Sequence, residues 1–180
     1  MEQKKRGSIA VIGIMSKYAR QIMTGEKKFE FRKSPLNKNL FGKKIYVYSA
    51  KEDKAIIGYF RVEENLHGTT KQILEQTGYD KRKDGHEIVE YFGENNPNCY
   101  ALRISDVTNF TEDLTLRDMR KVVPDVSMPQ YMAFAREGSP LYYVITEWDK
   151  AFSENGDLCL NPERRKAMIL EKGKEMGGRK

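Results

Sequence analysis

The residues best suited to chemistry lie in one short segment, Gly25 to Arg32, which has the form G-x-K-x-x-E-x-R. A glycine that follows a helical pattern can adopt the left-handed conformation that ends a helix, and the chain then extends. Alternation along the extended part places Phe29 and Phe31 on one face, where they can anchor the strand in a core. The opposite face carries three charged side chains, those of Lys28, Glu30 and Arg32. With Lys27 leaning over the same edge from the turn, the segment suits binding of a polar, anionic ligand.

The same segment also fits a simpler interpretation. An exposed strand commonly carries lysine, glutamate and arginine as a solvated face, and ion pairs at a surface contribute little to stability. The surrounding charge favours the binding interpretation. Between Lys27 and Lys44 stand seven basic residues and one acid, so this segment alone carries a net charge of +6, which equals that of the whole chain. A clustered basic charge attracts polyanions, of which nucleic acid is the commonest; the alternative is a patch that serves solubility.

Composition narrows the class of protein. The chain has 180 residues with 39% hydrophobic and 32% charged residues, which favours a single domain with a substantial core. No apolar run approaches the roughly 20 residues that span a bilayer, and the charged start is not followed by a signal-peptide core. The two cysteines, Cys99 and Cys159, form no metal-binding spacing, so we expect reduced thiols, no metal, no cofactor and a cytoplasmic protein.

Periodicity and cap residues predict a mixed arrangement of strands and helices. The predicted strands are Ser8–Ile14, Lys28–Lys33, Ile45–Ala50, Ala55–Glu63, Cys99–Val107 and Leu141–Thr146. The predicted helices are Ser16–Thr24, a segment from the Thr69 capping box through Gln76, His86–Phe92, Leu116–Lys121, about Pro129–Arg136, and one that begins at Asn161-Pro162. Gly58 inside its strand indicates a bulge or the close approach of another backbone. Trp148 is predicted to pack the final strand against the C-terminal helix.

These elements predict the fold class and the domain organisation. We expect an α+β domain of about six mixed, mostly antiparallel strands, closed into a small β-barrel with surrounding helices, because closure hides the sheet edges. Residues 1–7 are predicted to form an N-terminal tail, residues 8–148 the domain, and residues 149–180 a C-terminal helical extension.

The order strand, helix, G-x-K-x-x-E-x-R, strand resembles the ASCH domain family, a branch of the PUA-like superfamily. Gly25, Lys27, Glu30 and Arg32 stand where the family pattern places them, and the resemblance extends from Ser8 to Thr146. Further segments that match family elements are Ile9–Met15, Lys17–Ala19, Tyr46–Ser49, Ile56–Gly58, Tyr100–Ile104 and Leu116–Arg120. The resemblance implies a PUA-like barrel with a cleft beside the motif. It also implies RNA binding, with a regulatory role in transcription or translation for some members.

The resemblance also includes enzymes. Some small bacterial ASCH-like proteins are amidohydrolases on acetylated cytidine, with a lysine, a threonine nucleophile three residues later and a distant glutamate. Lys27 matches the lysine, but Glu30 occupies the threonine position and cannot act as a hydroxyl nucleophile. Glu87 and Glu90 are the candidates for the distant glutamate. Ribonuclease activity occurs in a few members, yet the two histidines, His67 and His86, are expected to be ordinary surface residues.

The binding hypothesis gives each candidate residue a role. Lys27 and Arg32 would donate to a phosphate or to base carbonyl oxygens, and Glu30 would orient Arg32 or accept from an exocyclic amino group. The remaining candidates are Tyr48 and Tyr100 as stacking surfaces, Lys17 and Ser49 at the cleft, and Lys33, Lys38, Lys43 and Lys44 along the backbone of the nucleic acid.

Three functions remain open from the sequence. The first is an RNA- or nucleotide-binding protein. The second is a hydrolase on a modified nucleoside or RNA, with Lys27 and Glu30 as its catalytic residues. The third is a module whose basic face docks an acidic protein partner. None of the three involves a membrane.

Overall fold

A computed structural model describes residues 7–154 and 161–178 of the chain. Its strands are β1 (Ser8–Met15), β2 (Phe29–Arg32), β3 (Ile45–Ala50), β4 (Ala55–Gly68), β5 (Cys99–Thr115) and β6 (Met132–Arg136). Its α-helices are α1 (Ser16–Met23), α2 (Thr70–Thr77), α3 (Gly85–Phe92), α4 (Leu116–Val122), α5 (Pro140–Phe152) and α6 (Pro162–Gly177). The α+β class is therefore confirmed.

The strands form one six-stranded sheet in the order β2-β5-β4-β3-β1-β6. Only β1 and β3 run parallel, and every other neighbouring pair is antiparallel. The predicted closure into a barrel is wrong, because β2 and β6 lie at opposite ends of the sheet and do not pair with each other. β2 is only four residues long, and Ser34-Pro35 turns the chain away directly after it. An open seam therefore remains where a barrel would have closed.

Gly58 marks the strongest distortion of the sheet. The register between β4 and its neighbours shifts on both sides of this residue. Its φ is 155°, and a Cβ atom placed there would lie 2.2 Å from the carbonyl oxygen of Thr108. The predicted close approach of another backbone is thus confirmed. Beyond Phe60, β4 leaves β3 and continues with β5 alone, which gives the sheet a separate three-stranded end made of β4, β5 and β2.

The apolar core is divided between the two faces of this sheet. One cluster packs α5, α4 and α6 on β3, β4 and β5, with the fully buried Trp148 at its centre. A second cluster packs α1 on β1 and β3. A third lies beneath the three-stranded end, where Phe29 and Phe31 pack against α2 and α3. The prediction that Phe29 and Phe31 face the core is thus confirmed.

Two predicted elements are wrong. Leu141–Thr146 is part of helix α5, whose Ser139 cap accepts a hydrogen bond from the backbone N–H of Tyr142 at 3.2 Å. Its buried residues, Val144, Ile145, Trp148, Ala151 and Phe152, follow helical spacing. Conversely, the segment predicted as a helix, about Pro129–Arg136, contains strand β6, which pairs with β1. Trp148 therefore lies on a helix rather than beside a last strand, and its Nε1 donates to the carbonyl oxygen of Glu112 at 2.7 Å.

The C-terminal region packs on the rest of the chain. The boundary predicted at residue 148 falls inside α5, and Ile169 and Leu170 of α6 belong to the Trp148 cluster. The division into domain and extension stays a prediction. Cys99 is buried, and Cys159 lies outside the described residues, as does most of the predicted N-terminal tail. Among the residues described, no helix combines the length and apolar character that crossing a bilayer requires.

Candidate functional site

The turn between α1 and β2 has the geometry that its sequence predicts. Gly25 has a φ of 77°, and its backbone N–H donates to the carbonyl oxygen of Ile22 at 3.0 Å. Two residues later, the Lys27 N–H donates to the carbonyl oxygen of Gln21 at 2.9 Å, which holds the start of the strand against the end of the helix. The turn therefore fixes the point from which the Lys27 side chain departs.

Lys27 and Glu30 form a largely buried ion pair. The Lys27 Nζ lies 2.8 Å from Oε2 of Glu30 and donates to the carbonyl oxygen of Phe29 at 2.6 Å. The two side chains are 7% and 15% exposed. The ammonium group also lies 5.1 Å from the centre of the Phe31 ring, a cation–π distance. Because an ammonium group has three protons, one donor of Lys27 remains beyond these two hydrogen bonds.

Arg32 differs from Lys27 in having no acidic partner. No carboxylate forms an ion pair with it anywhere in residues 7–154 and 161–178. Arg32 is half-buried and lines a cavity of about 310 Å³ with Lys33 and Ser34, which we call the side cleft. The Nζ of Lys33 lies 5.1 Å from the centre of the Tyr91 ring. The side cleft is therefore basic and has an aromatic wall.

A larger cavity of about 710 Å³, the main cleft, adjoins the side cleft. Lys27, Glu30 and Phe31 form one wall, and Gly13, Ile14 and Met15 of β1 form another. α3 supplies further lining residues, namely His86, Glu87, Ile88, Glu90 and Tyr91. The main cleft therefore occupies the open seam between β2 and β1. Its volume falls within the range of about 300–1,000 Å³ that is typical of ligand sites.

Gly13 is needed for the shape of this seam. A Cβ atom at this position would lie 2.1 Å from the carbonyl oxygen of Pro129. The Gly13 N–H donates to the carbonyl oxygen of Tyr131 at 2.8 Å. The loop before β6 can therefore lie directly on β1, which brings the side chains of Gln130 and Tyr131 to the mouth of the main cleft.

Aromatic rings surround the mouth of both clefts. Tyr91 and Tyr131 line both cavities and are 41% and 64% exposed. Tyr18 lines the main cleft, with the Lys27 Nζ 5.8 Å from the centre of its ring. Exposed rings of this size beside cationic groups suit a flat, anionic ligand.

Lys17, Tyr18 and Glu87 join α1 to α3 beside the main cleft. Glu87 accepts hydrogen bonds from the Lys17 Nζ at 2.6 Å and from the Tyr18 hydroxyl at 2.8 Å. These two hydrogen bonds lower the pKa of Glu87 below its ordinary value. Glu87 raises the pKa of Lys17 in turn, while burial and the same hydrogen bond raise the pKa of Tyr18. The network keeps Glu87 ionised and Tyr18 neutral near neutral pH.

The structure brings together only part of the predicted site. Lys27, Glu30, Arg32 and Lys33 line the two clefts, whereas Lys17 reaches them only through Glu87. Two candidates lie elsewhere: Tyr48 is buried in the Trp148 cluster, and the buried Ser49 hydroxyl donates to Asp53. Tyr100 stands directly opposite Arg32 on β5, outside the lining of both clefts. Lys38, Lys43 and Lys44 also lie outside that lining.

Three residues of the site were missed by sequence reasoning. Tyr91 and Tyr131 come from segments far from the motif, and Gly13 sits within an apolar strand pattern. A glycine inside a buried strand can indicate the close approach of another backbone, so Gly13 carried a readable signal. No sequence signal marks Tyr91 or Tyr131, because only the folded chain places them beside Arg32.

The profile of the ASCH domain family matches residues 12–112, a stretch that includes the second half of β1, the motif segment and most of β5. The chain belongs to the ASCH domain family. The resemblance seen in the sequence is thereby confirmed. No curated protein sequence matches the chain.

Solved ASCH structures show the same fold. The crystal structure of ASCH from Zymomonas mobilis is 22% identical, with a TM-score of 0.62, and the match covers 71% of this chain and 87% of that one. A tyrosine-to-phenylalanine mutant of the Zymomonas mobilis protein matches at 21% identity and a TM-score of 0.62, over 71% of this chain and 90% of the other. Its serine-to-alanine mutant matches at 21% identity and the same TM-score, over 76% and 92% of the two chains.

The titratable residues of this ASCH domain do not assemble a metal centre in the described part of the chain. No group of three or more histidine, cysteine, aspartate or glutamate side chains there converges closely enough to hold an ion. Lys27 also occupies one oxygen of Glu30, and Lys17 and Tyr18 occupy both oxygens of Glu87. The side chains of the clefts therefore offer hydrogen bonds, charge and stacking to a ligand.

Proposed function

We propose that this ASCH domain binds single-stranded RNA, or a nucleotide-like ligand, in the joined main and side clefts. The observation that carries the proposal is the presence of two cations in different states at the two ends of one short segment, with Lys27 in the turn before β2 and Arg32 at the end of β2. Lys27 is buried and fixed by Glu30, whereas Arg32 lies two residues beyond Glu30 without an acidic partner in the described chain. A phosphate matches the bidentate geometry of a guanidinium group.

The aromatic walls support a ligand that also carries bases. Tyr91 and Tyr131 line the space that the basic residues share, so a base can stack there while its phosphate meets Arg32 and Lys33. Sequence-specific RNA recognition uses unstacked bases of this kind, held by aromatic and guanidinium groups. The main cleft also carries the carboxylates of Glu30 and Glu90, which can accept from base amino groups. A regulatory role in transcription or translation is compatible with such binding.

A fluorescence-anisotropy titration with labelled single-stranded RNA tests the proposal. The Lys27→Ala/Arg32→Ala variant is expected to lose at least about tenfold in affinity, since each hydrogen bond to a charged group contributes roughly 1.5–3 kcal/mol. The salt dependence is also expected to become shallower by about 0.7 log units for each phosphate that the variant no longer neutralises.

A matched control removes the same charge nearby. Lys28→Ala/Arg103→Ala takes one lysine beside Lys27 and one arginine from β5, and neither residue lines a cleft. Circular dichroism and thermal unfolding verify that both variants are folded. Equal affinities of the two double variants would remove the site assignment.

A hydrolase on a modified nucleoside or RNA is the second candidate, and one observation favours it. Glu87 and Glu90, the candidates for the distant glutamate, line the same cleft as Lys27. Glu30 at the threonine position leaves the cleft without the hydroxyl nucleophile of the amidohydrolases, so a carboxylate would have to activate water instead. Release of acetate from acetylated cytidine, or of fragments from RNA, separates this candidate from simple binding. An acidic protein partner that binds while RNA does not would favour the interaction module.

A further inference from the structure

The three-stranded end of the sheet carries a row of side chains that leads away from the clefts. In antiparallel strands, directly opposite residues project from the same face. Arg32 of β2 stands opposite Tyr100 of β5, and Tyr100 stands opposite His67 of β4. Arg32, Tyr100 and His67 therefore lie side by side on one face, and we call this row the ring platform.

The rings of the platform are already stacked on each other. The centres of the His67 and Tyr100 rings are 4.6 Å apart, and their planes differ by 21°. Most aromatic pairs elsewhere in the described chain meet edge-on or at a steep tilt, as Phe31 and Tyr79 do at 83°. Because these two rings already face each other, the ring face left for a nucleobase to stack on is the outer face of His67.

This surface is open to solvent. His67 is exposed, and β4 has no strand on its other side beyond Phe60 in the described chain, so His67 ends the row at a free edge. The opposite face of these strands is covered, because Phe31 and Ala101 pack beneath α2 and α3. On β4 and β5, the face that carries the platform is therefore the one left open to a ligand.

The platform also has a fixed relation to the proposed binding site. Arg32 lies at its inner end and lines the side cleft. With strands about 4.8 Å apart, His67 lies roughly 10 Å from Arg32, within reach of the neighbouring nucleotides of one strand. An RNA strand whose phosphate is held by Arg32 would then continue either into the clefts or across the rings.

We infer that the ring platform is a second base-stacking subsite, which extends the footprint of single-stranded RNA beyond the clefts. The inference rests on the proposed function, since it takes the clefts to hold the first nucleotide. Recognition at the platform is by stacking on the outer face of His67, which continues the stack that His67 forms with Tyr100 and accepts any base. Short ligands fill the clefts alone, and longer strands fill both subsites.

A length series of RNA ligands tests the inference. A mononucleotide and an octanucleotide of the same base are titrated against the wild-type protein and the His67→Ala variant. Loss of one stacking surface is expected to lower the affinity for the octanucleotide about tenfold and to leave that for the mononucleotide unchanged. His67→Phe, which keeps a ring at this position, is expected to retain the wild-type affinity for both ligands.

One further control variant and two possible outcomes decide whether the platform stands. Phe134→Ala removes an exposed ring from β6, outside the clefts and the platform, and is expected to change neither affinity. If His67→Ala binds the octanucleotide as tightly as the wild type while the mononucleotide still binds, the platform is overturned and the clefts stand. If the wild type binds neither ligand, the proposed function and the platform both fall.

Discussion

Lys27 and Lys44 each hold a carboxylate at hydrogen-bond distance, but the two pairs are built in opposite ways. In the first pair the lysine is the more buried member, and both partners line the main cleft. In the second the carboxylate of Asp149 is 7% exposed while Lys44 is 37% exposed, and neither residue lines either cleft. The difference between the two pairs as candidate sites is therefore the main cleft, which adjoins the first pair and not the second.

The neighbours of the two pairs reinforce the difference. Asp149 Oδ2 also accepts from the Tyr46 hydroxyl at 2.8 Å, and the Lys44 Nζ lies 4.3 Å from the centre of the Tyr59 ring. Burial and the nearby Asp149 charge raise the pKa of Tyr46 well above its usual range. This second cluster ties α5 to β3 with side chains directed at one another. The Lys27 pair instead leaves a donor and an acceptor beside an open cavity.

Replacement of Lys27 is expected to have a larger effect than any of the substitutions that follow. Lys27→Met leaves the Glu30 carboxylate largely buried without its partner, and loss of one member of a buried pair costs about 3 kcal/mol. Urea denaturation measures this loss in the free energy of unfolding. Affinity for RNA is expected to fall in the same variant.

The double variant Lys27→Met/Glu30→Gln separates stability from function. It leaves no unpaired charge, so it is expected to recover most of the lost stability while RNA binding stays weak. A double variant that binds RNA as the wild type does would show that the pair serves only the fold.

Gly13→Ala is expected to have the next largest effect, because it disturbs one wall of the seam. The added methyl group would lie 2.1 Å from the Pro129 carbonyl oxygen, so the loop before β6 must shift. Overpacking of this kind costs about 2 kcal/mol and moves Tyr131 away from the clefts. The free energy of unfolding and the affinity for RNA are measured together. Gly177→Ala, where an added Cβ meets only ordinary contacts, is the control and should lose neither; equal behaviour of the two variants would refute the role of Gly13.

Tyr46→Phe changes the second cluster instead. It removes one hydrogen bond to the buried Asp149, which is expected to cost about 1 kcal/mol in the free energy of unfolding. Affinity for RNA should not change, since the cluster does not line the clefts. Tyr143→Phe removes a hydroxyl group from the same helix as Asp149 and is the control for both measurements. A marked loss of RNA binding in Tyr46→Phe would mean that the second cluster takes part in the site.

The smallest expected effect concerns the acid stability of the cleft. The hydrogen bonds from Lys17 and Tyr18 lower the pKa of Glu87 below its ordinary value of 4.5. Their stabilisation is therefore complete above about pH 4.5 and is lost as pH falls through the lower folded-state pKa. The advantage in Tm of the wild type over Glu87→Gln is expected to shrink across that acid range. An advantage that stays constant or grows on acidification would contradict the assignment.

The motif segment could be predicted from sequence because its signals are local. The glycine turn and the alternation of Phe29 and Phe31 depend on residues within one turn and one strand. Caps at Thr69, Thr115 and Asn161 were readable for the same reason. The expectation that Glu30 orients Arg32 is wrong, because Glu30 pairs with Lys27 instead.

The failed predictions depend on distant partners or on competing signals. The β-branched and aromatic residues from Leu141 to Thr146 favour a strand. The cap at Ser139, the proline at the first helical position and the apolar spacing through Phe152 favour a helix, and the helix forms. β6 forms because β1 offers it an edge, which local periodicity does not encode. The open seam has the same origin, since closure depends on how far β2 extends and on what packs beside it.

That open seam has a mechanical consequence. Within the described chain no ladder of hydrogen bonds joins β2 to β1 or β6, so widening of the seam would break no strand pairing. The diameter of a fully closed cylinder is fixed by its strand number and stagger, and it lacks this freedom. A ligand thicker than the present gap between β2 and β1 could therefore be accommodated without the loss of a strand pairing.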